Sequence, residues 1–108
     1  MSYHQYVNLG YLIKALAAAD PSRPVRWGFG RPMSYRGDYS GLAFSPEENT
    51  TVGAMLMHAR SALDETFTGY KGGKFTIHDG VNCHIAEYGD AGGGRIGPTL
   101  LRYWLKDQ

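Results

Sequence analysis

Three clusters in this 108-residue chain combine glycine with cations and aromatic rings. The first is Arg26-Trp27-Gly28-Phe29-Gly30-Arg31, running on to Tyr35-Arg36-Gly37-Asp38-Tyr39. The second is Gly69-Tyr70-Lys71-Gly72-Gly73-Lys74-Phe75, and the third is Gly92-Gly93-Gly94-Arg95-Ile96-Gly97. Glycine lets a backbone approach a ligand closely, Arg and Lys neutralise phosphate oxygens, and aromatic faces stack on bases. The chemistry implied is binding of a small, phosphorylated, nucleotide-like anion. Arg36, Lys71, Lys74 and Arg95 are the candidate phosphate ligands. Tyr35, Tyr39, Tyr70 and Trp27 are the candidate stacking rings, and Gly72 and Gly73 the candidate backbone donors. Each cluster also has a plain structural reading: a solvated loop, a helix C-cap with a turn, and a hairpin-to-helix connection.

The same residues do not match the common catalytic templates. The Gly69–Lys74 run has too short a glycine spacing for a Walker A loop, and Phe75 replaces the hydroxyl residue. The Gly92–Gly97 run matches G-x-G-x-x-G, but only eleven residues follow it, too few for a Rossmann unit. Free N–H groups there, beside Arg95, could still hold an anion. His78, Cys83 and His84 match no zinc spacing, and neighbours in a strand point to opposite faces. No catalytic residue, metal site or cofactor is expected. Glu87 continues the apolar alternation of Cys83 and Ile85, so it is either turned inward toward a cation such as Arg36 or Lys71, or solvated beyond the strand's end.

The elements that must position these clusters follow from hydrophobic spacing. Leu9, Leu12, Ile13 and Leu16 form one helical stripe after a cap at Asn8, predicting a helix from about Leu9 to Ala19 that Asp20-Pro21 ends. Val25, Trp27 and Phe29 alternate as a short strand, and Leu42-Ala43-Phe44 is a second, followed by a turn over residues 45–49. Thr51 caps a helix carrying Val52, Met55, Leu56, Ala59, Ala62, Leu63 and Phe67. Phe75 and Ile77 start another strand, Asp79-Gly80 signals a hairpin turn, and Cys83 and Ile85 follow. Pro98 opens a last helix with Leu100, Leu101, Trp104 and Leu105, whose tail from Arg102 to Gln108 reads as solvated. The fold class is α+β: two helix-strand-strand units plus a C-terminal helix, the helices packed on a small antiparallel sheet, in a single domain spanning 1–108. A 43-residue shift aligns Asn8 with Thr51, Gly10 with Gly53, Ala19 with Ala62 and Gly30 with Gly73, so a duplication is a hypothesis.

The bulk numbers narrow the partner class. A formal net charge of +1 fits neither a DNA mimic nor a broad nucleic-acid binder, so nucleic acid is a disfavoured partner. One cysteine permits no internal disulfide, which suits a reducing cytoplasm. No apolar run reaches membrane-spanning length, and residues 1–6 do not begin like a signal peptide. Fifteen glycines raise the entropy cost of folding, and homo-oligomerisation is one means of offsetting it.

The runs Gly28-Phe29-Gly30-Arg31-Pro32-Met33-Ser34-Tyr35-Arg36-Gly37, Leu42-Ala43-Phe44, Thr51-Val52-Gly53-Ala54-Met55-Leu56, Gly69-Tyr70-Lys71-Gly72-Gly73 and Ile96-Gly97-Pro98-Thr99-Leu100-Leu101 resemble a group of small bacteriophage proteins. The resemblance spans most of residues 8–105. It carries no catalytic residue. It implies an anti-defence role in the host cytoplasm, by sequestering a cyclic nucleotide or cyclic ADP-ribose type of immune signal between subunits. Alternatives are a protein-binding inhibitor of a defence effector such as a CRISPR complex, and a small phosphodiesterase-like enzyme.

Overall fold

A computed structural model describes residues 7–34, 41–68, 71–85 and 94–105. Helix α1 (Leu9–Ala17) starts where Asn8 caps it, the Asn8 side chain accepting the Tyr11 N–H at 2.9 Å. It buries Leu9, Leu12 and Leu16, and ends two residues before the expected Ala19. Helix α2 (Val52–Ala62) starts at Thr51, whose hydroxyl accepts the Ala54 N–H at 3.1 Å.

The two helix starts are built alike. At α1, the Leu9 N–H donates to Val81 O at 3.0 Å and the Gly10 N–H to Asp79 O at 2.8 Å. At α2, the Val52 N–H donates to Arg23 O at 3.0 Å and the Gly53 N–H to Pro21 O at 2.8 Å. Three donors of each first turn are thereby satisfied in the same order, two by a neighbouring loop and one by the cap. The glycines are required for this approach: a Cβ on Gly53 would lie 2.9 Å from Pro21 O, and one on Gly10 would lie 3.0 Å from Asp79 Cβ. The 43-residue correspondence therefore has a structural counterpart at the helix starts. It does not extend to Gly30 and Gly73, since Gly30 is inside a strand and Gly73 precedes one. Neither of these helix starts offers those donors to an anion.

The described residues also form six strands, β1 (Pro24–Ser34), β2 (Gly41–Thr51), β3 (Thr66–Thr68), β4 (Lys74–Thr76), β5 (Asn82–Ile85) and β6 (Gly94–Arg95), with α3 (Pro98–Leu105) last. The main sheet runs β1-β2-β5-β6, and β3 with β4 forms a separate antiparallel pair beside β1. The fold is α+β, with helices packed on a small, mostly antiparallel sheet, as the spacing predicts.

The structure alters several details. The β2–β5 pairing is parallel, from Gly41↔Asn82 to Phe44↔Ile85. Among the described residues, four strands, rather than two, follow α2. Asp79-Gly80 is a turn, but it links strands of different sheets instead of closing a hairpin. Helix α2 stops at Ala62, because Asp64 takes a left-handed φ of 68°, and Phe67 belongs to β3. Residues 45–49, expected as a turn, continue β2. Pro46 is tolerated there because of its register opposite Phe29. The Trp27 carbonyl is turned away from β2, since it accepts a bond from Trp104. By antiparallel alternation Phe29↔Pro46 is then also a pair without ladder bonds, and the missing N–H costs nothing.

The core is formed by Leu9, Leu12 and Leu16 of α1, Val52, Met55 and Ala59 of α2, Phe29, Leu42 and Phe44 of the sheet, and Ile77, Ile96 and Trp104. Phe29 stacks tilted on Phe44, with centroids 4.3 Å apart. Cys83 is buried here, and burial pushes its thiol up from the ordinary 9.0 to about 12. The unfolded chain thus releases this proton from about pH 9, while the folded chain holds it until about pH 12. The Cys83 contribution to stability is complete below pH 9 and declines as pH rises from 9 toward 12. Urea midpoints of the parent and Cys83→Ala at pH 8 and pH 10.5 test this: the gap between them narrows at the higher pH.

Candidate functional site

The base of the β1–β2 hairpin and helix α3 enclose an open cleft of about 730 Å³. Its walls include Arg23 and Arg26 from one side, Glu48, Asn49, Thr50 and Thr51 from the other, and Tyr103 with Trp104 from α3. The turn at Asp20–Arg23 brings Arg23 into place. Asp20 accepts the Ser22 N–H at 2.9 Å and the Ser22 hydroxyl at 2.8 Å, and these bonds lower its carboxyl below the usual range. The Arg23 N–H donates to Asp20 O at 3.1 Å.

Trp104 holds α3 against the sheet. It is 1% exposed, its indole N–H donates to Trp27 O at 2.8 Å, and its ring meets Phe29 edge-on with centroids 5.2 Å apart. This anchoring leaves the adjacent Tyr103, 46% exposed, on the cleft wall. Trp27 is 52% exposed, and the Arg26 guanidinium carbon lies 5.4 Å from its ring centroid. Two guanidinium groups, a phenol and an indole are therefore grouped within one small region.

The opposite wall depends on one backbone irregularity. The β1–β2 register runs from Pro24↔Thr51 to Phe29↔Pro46, but Arg26 and Asn49 are not a partner pair. Asn49 has a left-handed φ of 56°, a conformation Asn tolerates better than most residues. Four consecutive residues, Glu48 to Thr51, contribute to the lining of the same cleft. The Thr51 hydroxyl is occupied by the α2 cap.

Of the described residues singled out by sequence, none lines this cleft; Trp27 adjoins it through its neighbour Arg26, its cross-strand partner Glu48 and the Trp104 bond to its carbonyl. Lys71, Gly72, Gly73 and Lys74 lie at the connection into β4, all exposed, with Gly72 at φ +85° and open space around it. Gly72 thus satisfies the turn reading of that cluster. Arg95 is on β6, paired with His84, at the other edge of the main sheet from β1. Tyr35, Arg36, Tyr39, Tyr70 and Glu87 lie outside the described residues. The structure instead draws attention to Arg23, Arg26, Glu48, Asn49 and Tyr103. Tyr103 was hidden in a helix tail that reads as solvated. The signal available was its position next to Trp104, the largest residue of that helix stripe.

Among the described residues, no group of three or more His, Cys, Asp or Glu side chains is placed to hold a metal ion. His78 Nδ1 accepts the Gly80 N–H at 3.1 Å, stabilising the turn into β5. No described helix is long and apolar enough to cross a membrane. Comparison with protein-family models, curated protein sequences and solved structures returns no match.

Proposed function

We propose that this chain is a non-enzymatic binding protein that takes up a small nucleotide-derived anion in the cleft between the β1–β2 base and α3. The observation that supports this reading is the grouping of Arg23, Arg26 and Tyr103 around about 730 Å³, with the exposed Trp27 alongside. That volume is within the usual range for small-molecule sites. The guanidinium groups suit phosphate oxygens, and the rings suit bases. Sequestration needs tight binding alone, so it requires no nucleophile or general base. In this proposal the protein is a bacteriophage anti-defence factor acting in the host cytoplasm, trapping a cyclic nucleotide or cyclic ADP-ribose type of signal. It works as a homo-oligomer in which Arg36, Tyr70 and Lys71 from a neighbouring copy complete the enclosure.

Titration of the purified protein with cyclic dinucleotides and cyclic ADP-ribose tests the proposal. A bound ligand at a hundredfold excess over Kd adds about 2.7 kcal/mol of stability, which appears as a rise in Tm of roughly 10 °C. Arg26→Ala weakens binding at least about tenfold, the loss expected for one charge-assisted contact, and Tyr103→Ala weakens it similarly. Ligand recovered chemically intact after heat denaturation separates sequestration from cleavage. Absence of stabilisation by every nucleotide tried rejects the reading and leaves the protein-inhibitor alternative, for which Trp27, Tyr103 and Arg26 have the composition of a binding hot spot.

A further inference from the structure

The two walls of the cleft differ in chemistry. Arg23 and Arg26 line one, and Glu48 and Asn49 line the other. A carboxylate inside a site for anions weakens binding unless the ligand has a neutral part that donates to it. Among the described residues, no hydrogen bond or ion pair engages the Glu48 carboxylate or the Asn49 amide. Glu48 and Asn49, the latter with a left-handed φ of 56°, both line the cleft. Glu48 is also the cross-strand partner of Trp27, in the class of pair whose side chains are closest. A base held in the cleft against Tyr103 shares that enclosure with Glu48.

An ionised carboxylate only accepts hydrogen bonds. It pairs well with a base edge that offers two adjacent donors and poorly with one that offers an acceptor there. Guanine has N1–H and the N2 amino group side by side. Adenine has the N1 lone pair at the equivalent place, with one amino group. The Asn49 amide can donate to the neighbouring guanine O6, and Arg26 on the facing wall is placed for phosphate. We infer that the cleft selects guanine nucleotides over adenine nucleotides, and that Glu48, assisted by Asn49, is the specificity-determining residue. This inference rests on the cleft being the ligand site.

The test uses cyclic di-GMP and cyclic di-AMP, which share phosphates and sugars and differ in the base. Isothermal titration on the intact protein is expected to favour cyclic di-GMP by at least about tenfold, the discrimination of one good bidentate base contact. Glu48→Gln removes a negative charge and so strengthens binding of any anion; the informative quantity is the ratio of the two affinities, which falls toward one. Asn49→Gly keeps the left-handed backbone and reduces the ratio partially. Equal binding of both dinucleotides to the parent protein overturns the guanine preference while leaving the cleft as a site. A preference that Glu48→Gln leaves unchanged overturns the role of Glu48. Failure of both probes to bind, with cyclic ADP-ribose bound in an Arg26-dependent way, also overturns the guanine preference and retains the site. Failure of all three rejects both the preference and the site.

Discussion

Trp104→Ala is expected to lower the unfolding free energy by about 3–5 kcal/mol, the range for removing a large buried aromatic side chain. Its ring is fully packed against Phe29, and its indole N–H makes a 2.8 Å bond to Trp27 O that no smaller residue replaces. A domain of this size has a total stability of about 5–15 kcal/mol, so the variant sits near the folding threshold. Trp104→Phe divides the loss into parts. It retains most of the ring contact and leaves the Trp27 carbonyl without its indole donor, for an expected cost of about 1–3 kcal/mol. Urea unfolding followed by circular dichroism measures both. A loss below about 1 kcal/mol for the alanine variant would mean that α3 contributes little to the core. The same substitution removes one wall of the cleft. Ligand binding should therefore decline further than the stability loss alone accounts for, even at temperatures where the variant is fully folded.

Gly53→Ala should destabilise the protein by about 1–3 kcal/mol, against the usual direction. Alanine ordinarily stabilises a helix relative to glycine by about 0.5–1 kcal/mol. Here the new methyl group would lie 2.9 Å from Pro21 O and 3.1 Å from Pro21 Cβ. A carbonyl of the chain backbone cannot rotate aside as a flexible side chain can. The Asp20–Arg23 turn must move away, and the 2.8 Å bond from the Gly53 N–H to Pro21 O lengthens with it. Because Arg23 is in that turn, the cleft is disturbed as well. Gly10→Ala meets Asp79 Cβ at 3.0 Å and Asp79 O at 3.3 Å, and should cost less. Thermal melts of the two variants, compared with the parent, check the order. A stabilised Gly53→Ala would show that the turn yields easily.

The helix starts were legible in the sequence because their physics is local. Asn8 and Thr51 are the right residue types immediately before apolar stripes, and each accepts the N–H three residues on. The glycines following them were legible as a repeat, although not as close-approach positions, since the partners Pro21 and Asp79 are remote in the chain or in another element. The end of α2 is not legible in the sequence, because Leu63 and Phe67 keep helical spacing by coincidence, while Asp64, a residue able to take positive φ, carries no signal as specific as glycine would. The extension of β2 through residues 45–49 was obscured by Pro46, whose tolerance depends on a hydrogen-bond phase set by Trp27 and Trp104 across the fold.

The cleft itself was the least legible part. Sequence reading favours glycine-rich turns because they are contiguous, and a cleft assembled from residues 23–26, 48–51 and 103–104 is not contiguous. Arg26 was visible in the first cluster but was valued for its neighbours. Glu48 and Asn49 read as turn residues. Only the pairing of the strands brings Glu48 opposite Trp27, and only the Trp104 anchor puts Tyr103 beside both.

The parallel ladder between β2 and β5 has a consequence during synthesis. Leu42, Ala43 and Phe44 emerge from the ribosome before β5 and can pair at once with Ser34, Met33 and Pro32 on one side. Their other side waits for Cys83, His84 and Ile85, which come some forty residues later, after α2 and the β3–β4 pair have been made. At the rate of roughly 5–20 residues per second typical of translation, this greasy strand edge remains uncovered for seconds. Slower elongation through residues 45–85 would prolong that interval, and crowded expression would then divert nascent chains into inclusion bodies before the sheet could close.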